Sequence, residues 1–174
     1  ESMMDLLARQ AAVCQRLELR PAADSSQPVD PQDARAAWSQ LAAQEDTALQ
    51  QAIQQRLDRA LAAAEDPAQR AELRTRLPIN AERLRQICLR LEISAGVDSP
   101  PELAQQRLEL QVARLADRMT EGEEDQLQDA AQLVRDWYLC GPAPQDAALT
   151  SRFDRACTAL AQRGDAPDET GQQD

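Results

Sequence analysis

The residues able to do chemistry are few in kind and awkwardly spaced. Among 174 residues there is no His, so the commonest general base and the commonest metal ligand are both missing. All 19 basic residues are Arg, which excludes Schiff-base chemistry and a P-loop phosphate lysine. Cys14, Cys88, Cys140 and Cys157 lie far apart with no C-x-x-C pair, which is poor spacing for zinc and a weak signature of disulfides. Each falls on or beside an apolar helical stripe, where a small buried thiol in a reducing cytosol is the plain reading. A Cys nucleophile needs a His or a strong positive field; only Cys88, near Arg85 and Arg90, and Cys157, near Arg155, come close. The acidic runs Glu121, Glu123, Glu124, Asp125 and Asp165, Asp168, Glu169 stand at a helix start and in a tail, spaced as solvated charge and not as an acid–base pair. The glycines are isolated, so no phosphate loop is present. The expected inventory is no catalytic residue, no metal and no cofactor, and the chain does not read as an enzyme.

One charge pattern stands out against a net charge of -11. Arg70, Arg74, Arg76, Arg83, Arg85 and Arg90 face only Glu72 and Glu82 in the same stretch, a local excess of positive charge. These arginines are the candidate partner-binding residues. Forked Arg chemistry suits phosphate, so association with nucleic acid or a ribonucleoprotein is one reading of the stripe. No aromatic residues interleave for base stacking, and the overall acidity opposes nonspecific nucleic-acid binding. Pairing with the acidic segment from Asp117 to Asp136, or contact with a protein partner, is the stronger expectation.

The elements that carry these residues are helices. Hydrophobic residues make up 43% of the chain but aromatic residues only 2%, and β-branched residues are scarce, so strands have little to pack with. A charged fraction of 28% is ordinary for a folded domain. No run of about 18 apolar residues exists and no signal segment opens the chain, so a soluble, non-secreted, cytoplasmic protein without membrane association is expected. The opening Glu1-Ser2-Met3-Met4 places Met oddly, and the chain is expected to be a fragment. The first helix spans about 3 to 20, and Pro21 to Gln32 is a loop. Asp30-Pro31, Asp46, Asp66-Pro67, Asn80 and Asp146 mark helix starts. Pro78 is expected to end a helix, and Gly96 to stop the one after it. Ser99-Pro100-Pro101-Glu102 has the form of a capping box opening a helix whose Leu108, Val112, Leu115 and Met119 share one face. Gly122 and the acids after it open a helix with Leu127, Ala130, Val134 and Trp137. Beyond Gly164 a disordered acidic tail is expected.

The chain also repeats itself. Cys14-Gln15-Arg16-Leu17-Glu18-Leu19 answers Cys88-Leu89-Arg90-Leu91-Glu92-Ile93, and Arg56-Leu57-Asp58-Arg59-Ala60-Leu61 answers Arg152-Phe153-Asp154-Arg155-Ala156-Cys157. Trp38 or Trp137 falls between the two matches. Within each motif the Cys, the Leu and the residue after Glu lie on one side of a helix, while Arg and Glu reach solvent or pair across a turn. In the last motif Phe153 and Cys157 are one turn apart and face the core, and Trp137 closes the corner before Gly141-Pro142.

Trp137, Gly141-Pro142, Arg152-Phe153 and Ala156-Cys157 resemble the repeat signature of the domain-of-unknown-function 349 family, bacterial helical repeats with a W-x-x-x-G-P turn followed by an R-F-x-x-A-C helix. The resemblance covers about 125 to 163 well and 30 to 64 weakly, where Trp38 lacks the Gly-Pro turn and Leu57 replaces Phe. It implies an all-helical array in a bacterial protein and supplies no catalytic residue. The expected fold is all-α, an antiparallel array of about seven or eight helices in two similar sub-bundles. A degenerate repeat over 3–78, a second over 79–164 and the tail 165–174 are expected. Trp38, Leu57, Leu91, Leu115, Trp137 and Phe153 are the expected core. The functional expectation is a scaffold or adaptor that binds a protein partner through a groove between helices or through the Arg70 to Arg90 stripe.

Overall fold

Four helices begin where aspartate marks them, and Ser2 caps the first. The structure, a computed structural model, describes residues 1–19, 30–118 and 123–164, without the side chains of 118 and 123–128. Among the described residues it is all-α, with seven helices and no strand. These are α1 (Met3–Glu18), α2 (Pro31–Ser39), α3 (Thr47–Glu65), α4 (Pro67–Ala95), α5 (Ala104–Arg118, after a single 3-10 turn over Pro101–Leu103), α6 (Glu123–Leu139) and α7 (Ala147–Gly164). The Asp30 carboxylate accepts from the Gln32 amide at 2.9 Å, Asp46 from Leu49 at 3.1 Å, Asp66 from Ala68 at 2.9 Å and Asp146 from Leu149 at 3.0 Å. Each bond satisfies a backbone donor that the helix cannot, worth about 1 kcal/mol. The expected loop from Pro21 lies largely outside the described residues, as do Met119, Gly122 and the tail 165–174.

Two expected boundaries are overturned. Helix α4 runs through Pro78, and Asn80 is a buried interior residue of that helix, not a cap. A proline inside a helix removes one hydrogen bond, here to the carbonyl of Arg74, which lies on the exposed side. The Asn80 amide instead donates to the Pro142 carbonyl at 2.7 Å, joining α4 to the turn after α6. The expected capping box is also absent. Ser99 makes no cap bond; its hydroxyl donates to a buried carboxylate, that of Glu92, at 3.0 Å. Gly96 does close α4. With φ at +68°, it lets its own amide reach the Ile93 carbonyl at 3.2 Å and the Val97 amide reach that of Glu92 at 3.1 Å.

The chain divides into two compact units, residues 1–84 with 135–145, and 85–134 with 146–174. The expected division after residue 78 falls inside α4, and the segment 135–145, with Trp137, groups with unit 1. In unit 1, α1 packs on α2 and α3 around Leu7, Cys14, Leu17, Ile53, Leu57 and Ala60, with Trp38 and Tyr138 half-buried against them. Buried Gln10 and Gln44 and half-buried Gln50 form an amide network beside this core: the Gln10 side chain donates to Gln50 at 3.1 Å, and Gln44 donates to Gln10 at 2.9 Å. Among the described residues of unit 2 the buried hydrophobic ones are Ile87, Cys88, Leu89, Leu91, Ala95, Ala130, Leu149, Phe153 and Ala156. Leu57, Leu91 and Phe153 are core as expected, whereas Trp38 and Trp137 are only half-buried and Leu115 is exposed.

The repeat has a physical basis that its spacing does not reveal. Glu18 and Glu92 do not reach solvent; each side chain is 1% exposed and pairs with the arginine that opens the second motif of its own unit. Arg56 Nη2 meets Glu18 Oε1 at 2.8 Å, and Arg152 Nη2 meets Glu92 Oε1 at 2.6 Å. Neighbouring positions match too: Cys14 and Cys88, Leu17 and Leu91, Leu57 and Phe153, and Ala60 and Ala156 are all buried, while Arg16, Arg90, Asp58, Asp154, Arg59 and Arg155 are exposed.

Candidate functional site

The six candidate arginines share α4 but do not form one face. Arg70 is committed to structure: its guanidinium donates to the carbonyls of Ala63 at 3.2 Å and Ala64 at 3.1 Å, satisfying the end of α3. Arg74, Arg76, Arg83 and Arg90 are exposed and make no ion pair among the described residues. Arg85 is exposed and engaged. Arg70, Arg74, Arg76 and Arg83 belong to unit 1, Arg85 and Arg90 to unit 2. Arg76 lines a cleft that also holds Arg56 and Arg59, and Arg90 lines another with Arg114.

A surface that composition did not single out lies on α5. This helix has a strongly one-sided apolar pattern, yet none of its residues from 104 to 117 is buried. Leu108, Val112 and Leu115, spaced i, i+4 and i+7, are 54%, 60% and 61% exposed. With Ile93, Gln111 and Arg114 they line a groove of about 360 Å³. The expectation that this face belongs to the core is therefore overturned. The reason is polar: Arg107 Nη1 donates to the Val97 carbonyl at 2.6 Å and to Ser99 Oγ at 2.7 Å, and Arg114 Nη1 to Ser94 Oγ at 2.9 Å. These bonds turn the arginine side of α5 toward the end of α4 and leave the leucine side outward. On the inner side lies a second cleft of about 410 Å³, lined by Arg90, Ile93, Leu110, Asp117 and Leu133.

The interval from Cys88 to Arg152 is longer than that from Cys14 to Arg56, and α5 fills the extra length. The core of the second unit is thus built by the helices that carry the repeated motifs, and α5 is an addition to it. No amphipathic-face argument from sequence could tell which side of α5 would be covered. The discriminating signal was Arg107 and Arg114, which lie one helical side away from the leucines and find carbonyl and hydroxyl acceptors.

The four cysteines are free thiols, with Cys14 and Cys88 buried and Cys140 and Cys157 half-buried. Burial pushes Cys14 and Cys88 up to about 12 and Cys157 up to about 11, and it raises Cys140 as well. A thiol that holds its proton this firmly is a poor nucleophile at neutral pH. Among the described residues no group of His, Cys, Asp and Glu could hold a metal ion, and no helix is long and apolar enough to cross a membrane. Compared with known proteins, the chain matches no family model, no curated protein and no solved structure.

Proposed function

We propose that the chain is a non-catalytic helical-repeat module that acts as an adaptor by docking an amphipathic helix of a protein partner on the outward face of α5. The observation that carries this is the exposed ridge of Leu108, Val112 and Leu115 above the groove shared with Ile93. An amphipathic helix docks by laying its apolar face along a hydrophobic groove, and this ridge with its groove offers such a surface. Covering the exposed part of each, a little over half of its surface, would contribute about 1 to 2 kcal/mol toward docking. On this reading the molecule is a degenerate member of the domain-of-unknown-function 349 repeats and works in the bacterial cytoplasm. Four unpaired cysteines support a reducing compartment.

A photo-crosslinking residue placed at Val112 tests the proposal. Crosslinked peptides should come from an amphipathic segment of another protein, and a synthetic copy of that segment should compete. The triple variant Leu108→Ser, Val112→Ser, Leu115→Ser should abolish both signals with its circular dichroism unchanged. Crosslinks confined to nucleic acid or to a second copy of this chain, or crosslinking that survives in the triple variant, would overturn it.

A further inference from the structure

The geometry points to a second binding site, an oxyanion cleft in unit 1, where we infer that Arg59 and Arg76 grip a phosphate or carboxylate carried by a small molecule. It lies in a different unit from the α5 ridge and stands independently of the docking proposal. The cleft has a volume of about 410 Å³, within the range that holds small ligands. Its walls are the end of α1, α3, the first half of α4, and the end of α6 with the turn Cys140-Gly141-Pro142.

The electrostatics follow from counting what is already spent. Glu18 is engaged by Arg56 through Nη2 at 2.8 Å and Nε at 3.2 Å, and the remaining Arg56 nitrogen, Nη1, donates to the Tyr138 carbonyl. That buried pair forms a neutral, rigid part of the lining. Arg59 and Arg76 are left as exposed cations with no ion pair or hydrogen bond among the described residues, facing a cleft whose one other carboxylate is that of Glu72. Glu72 sits four residues before Arg76 on the same helix, and an exposed carboxylate at that spacing is only a weak competitor for an incoming oxyanion. Arg59 and Arg76 both line this one cleft, and two guanidinium forks are the kind of donor an oxyanion needs. The second unit supplies the contrast: Arg155 holds the place of Arg59 in the repeated motif and is equally exposed, but does not line this cleft.

The test is titration of the intact chain with inorganic phosphate and, separately, with citrate, at low ionic strength, followed by calorimetry and by the NMR signals of the arginine Nε–H groups and the Gly141 amide. Saturable binding of either probe with shifts concentrated at Arg59, Arg76 and Gly141 is expected. Tighter phosphate marks a phosphorylated ligand and tighter citrate a carboxylate one. Arg59→Gln and Arg76→Gln should each weaken binding on the order of tenfold, the effect of one lost charge-assisted contact. Arg155→Gln should leave it unchanged. Shifts spread evenly over the exposed arginines, no saturable binding of either probe, or equal weakening by Arg155→Gln would overturn the inference.

Discussion

Replacing Arg152 by Leu probes the link between the repeat and its stability. Glu92 is buried, and its carboxylate accepts three hydrogen bonds: from Arg152 Nε at 3.1 Å, Arg152 Nη2 at 2.6 Å and Ser99 Oγ at 3.0 Å. Attraction between charges about 4 Å apart is worth about 4 kcal/mol at an effective dielectric of about 20. Arg152→Leu removes that attraction and two of the three donors, leaving a charge in the core, at a cost of about 3–5 kcal/mol. Arg152→Leu combined with Glu92→Leu removes the buried charge as well, and Ser99 keeps its bond from Arg107. The double variant should return to within about 1 kcal/mol of the parent, since apolar replacement of a whole buried pair is often neutral. Urea melts read by far-ultraviolet circular dichroism, assembled as a double-mutant cycle, supply the coupling energy. The exposed pair Arg35–Glu65, at 3.6 Å, serves as the baseline. A coupling for Glu92–Arg152 below about 0.5 kcal/mol, the range of surface pairs, would refute the reasoning.

Further outcomes follow from the same structure. Arg56→Leu should cost at least as much as Arg152→Leu, because it orphans the Tyr138 carbonyl as well as Glu18; a smaller loss in the same melt counts against equivalent roles. Phe153→Ala should destabilise by about 3–5 kcal/mol, and Leu115→Ser should shift the urea midpoint by less than a tenth of that seen for Phe153→Ala, since Phe153 is 2% exposed and Leu115 faces solvent. Gly96→Ala should cost about 1–2 kcal/mol through its positive φ, and Arg163→Ala should not rescue it, although an added Cβ would meet Arg163 Nη2 at 2.5 Å. Burial raises the Cys14 and Cys88 pKa values above those of the unfolded chain, so the folded state holds more protons. Their contribution to stability is full below about pH 9 and is lost as pH rises toward about 12, so alkaline melts should show falling midpoints. At pH 8 both thiols should react with a disulfide reagent only after urea is added.

Local chemistry was readable where it acts within one helical turn. Asp30, Asp46, Asp66 and Asp146 cap the helices they precede, and Gly96 ends α4, because these bonds involve neighbours whose spacing is set by the chain itself. Ser99 obeyed a more distant demand. A buried Glu92 needs donors, and its hydroxyl is worth more there than at a helix start. Pro78 was misread for a similar reason: one lost hydrogen bond on an exposed side is tolerated when helix continues on both sides and Asn80 is tied to Pro142. The arginine stripe was visible as charge, but only the fold separates Arg70, spent on the α3 carbonyls, from Arg76, which shares a cleft with Arg59.

Composition and periodicity were sufficient for the all-α class and for the paired motifs, since helix propensity and the 3.6-residue stripe are properties of a segment alone. The meaning of the pairing needed the packed chain. Glu18 and Arg56 are 38 residues apart, and Glu92 and Arg152 are 60 apart; nothing local states that they meet away from water. The outward turn of α5 is likewise a tertiary outcome. Apolar residues show that a helix has a side to bury, but what covers that side depends on which neighbour arrives, and here Arg107 and Arg114 bond toward the end of α4 while Leu108, Val112 and Leu115 face out.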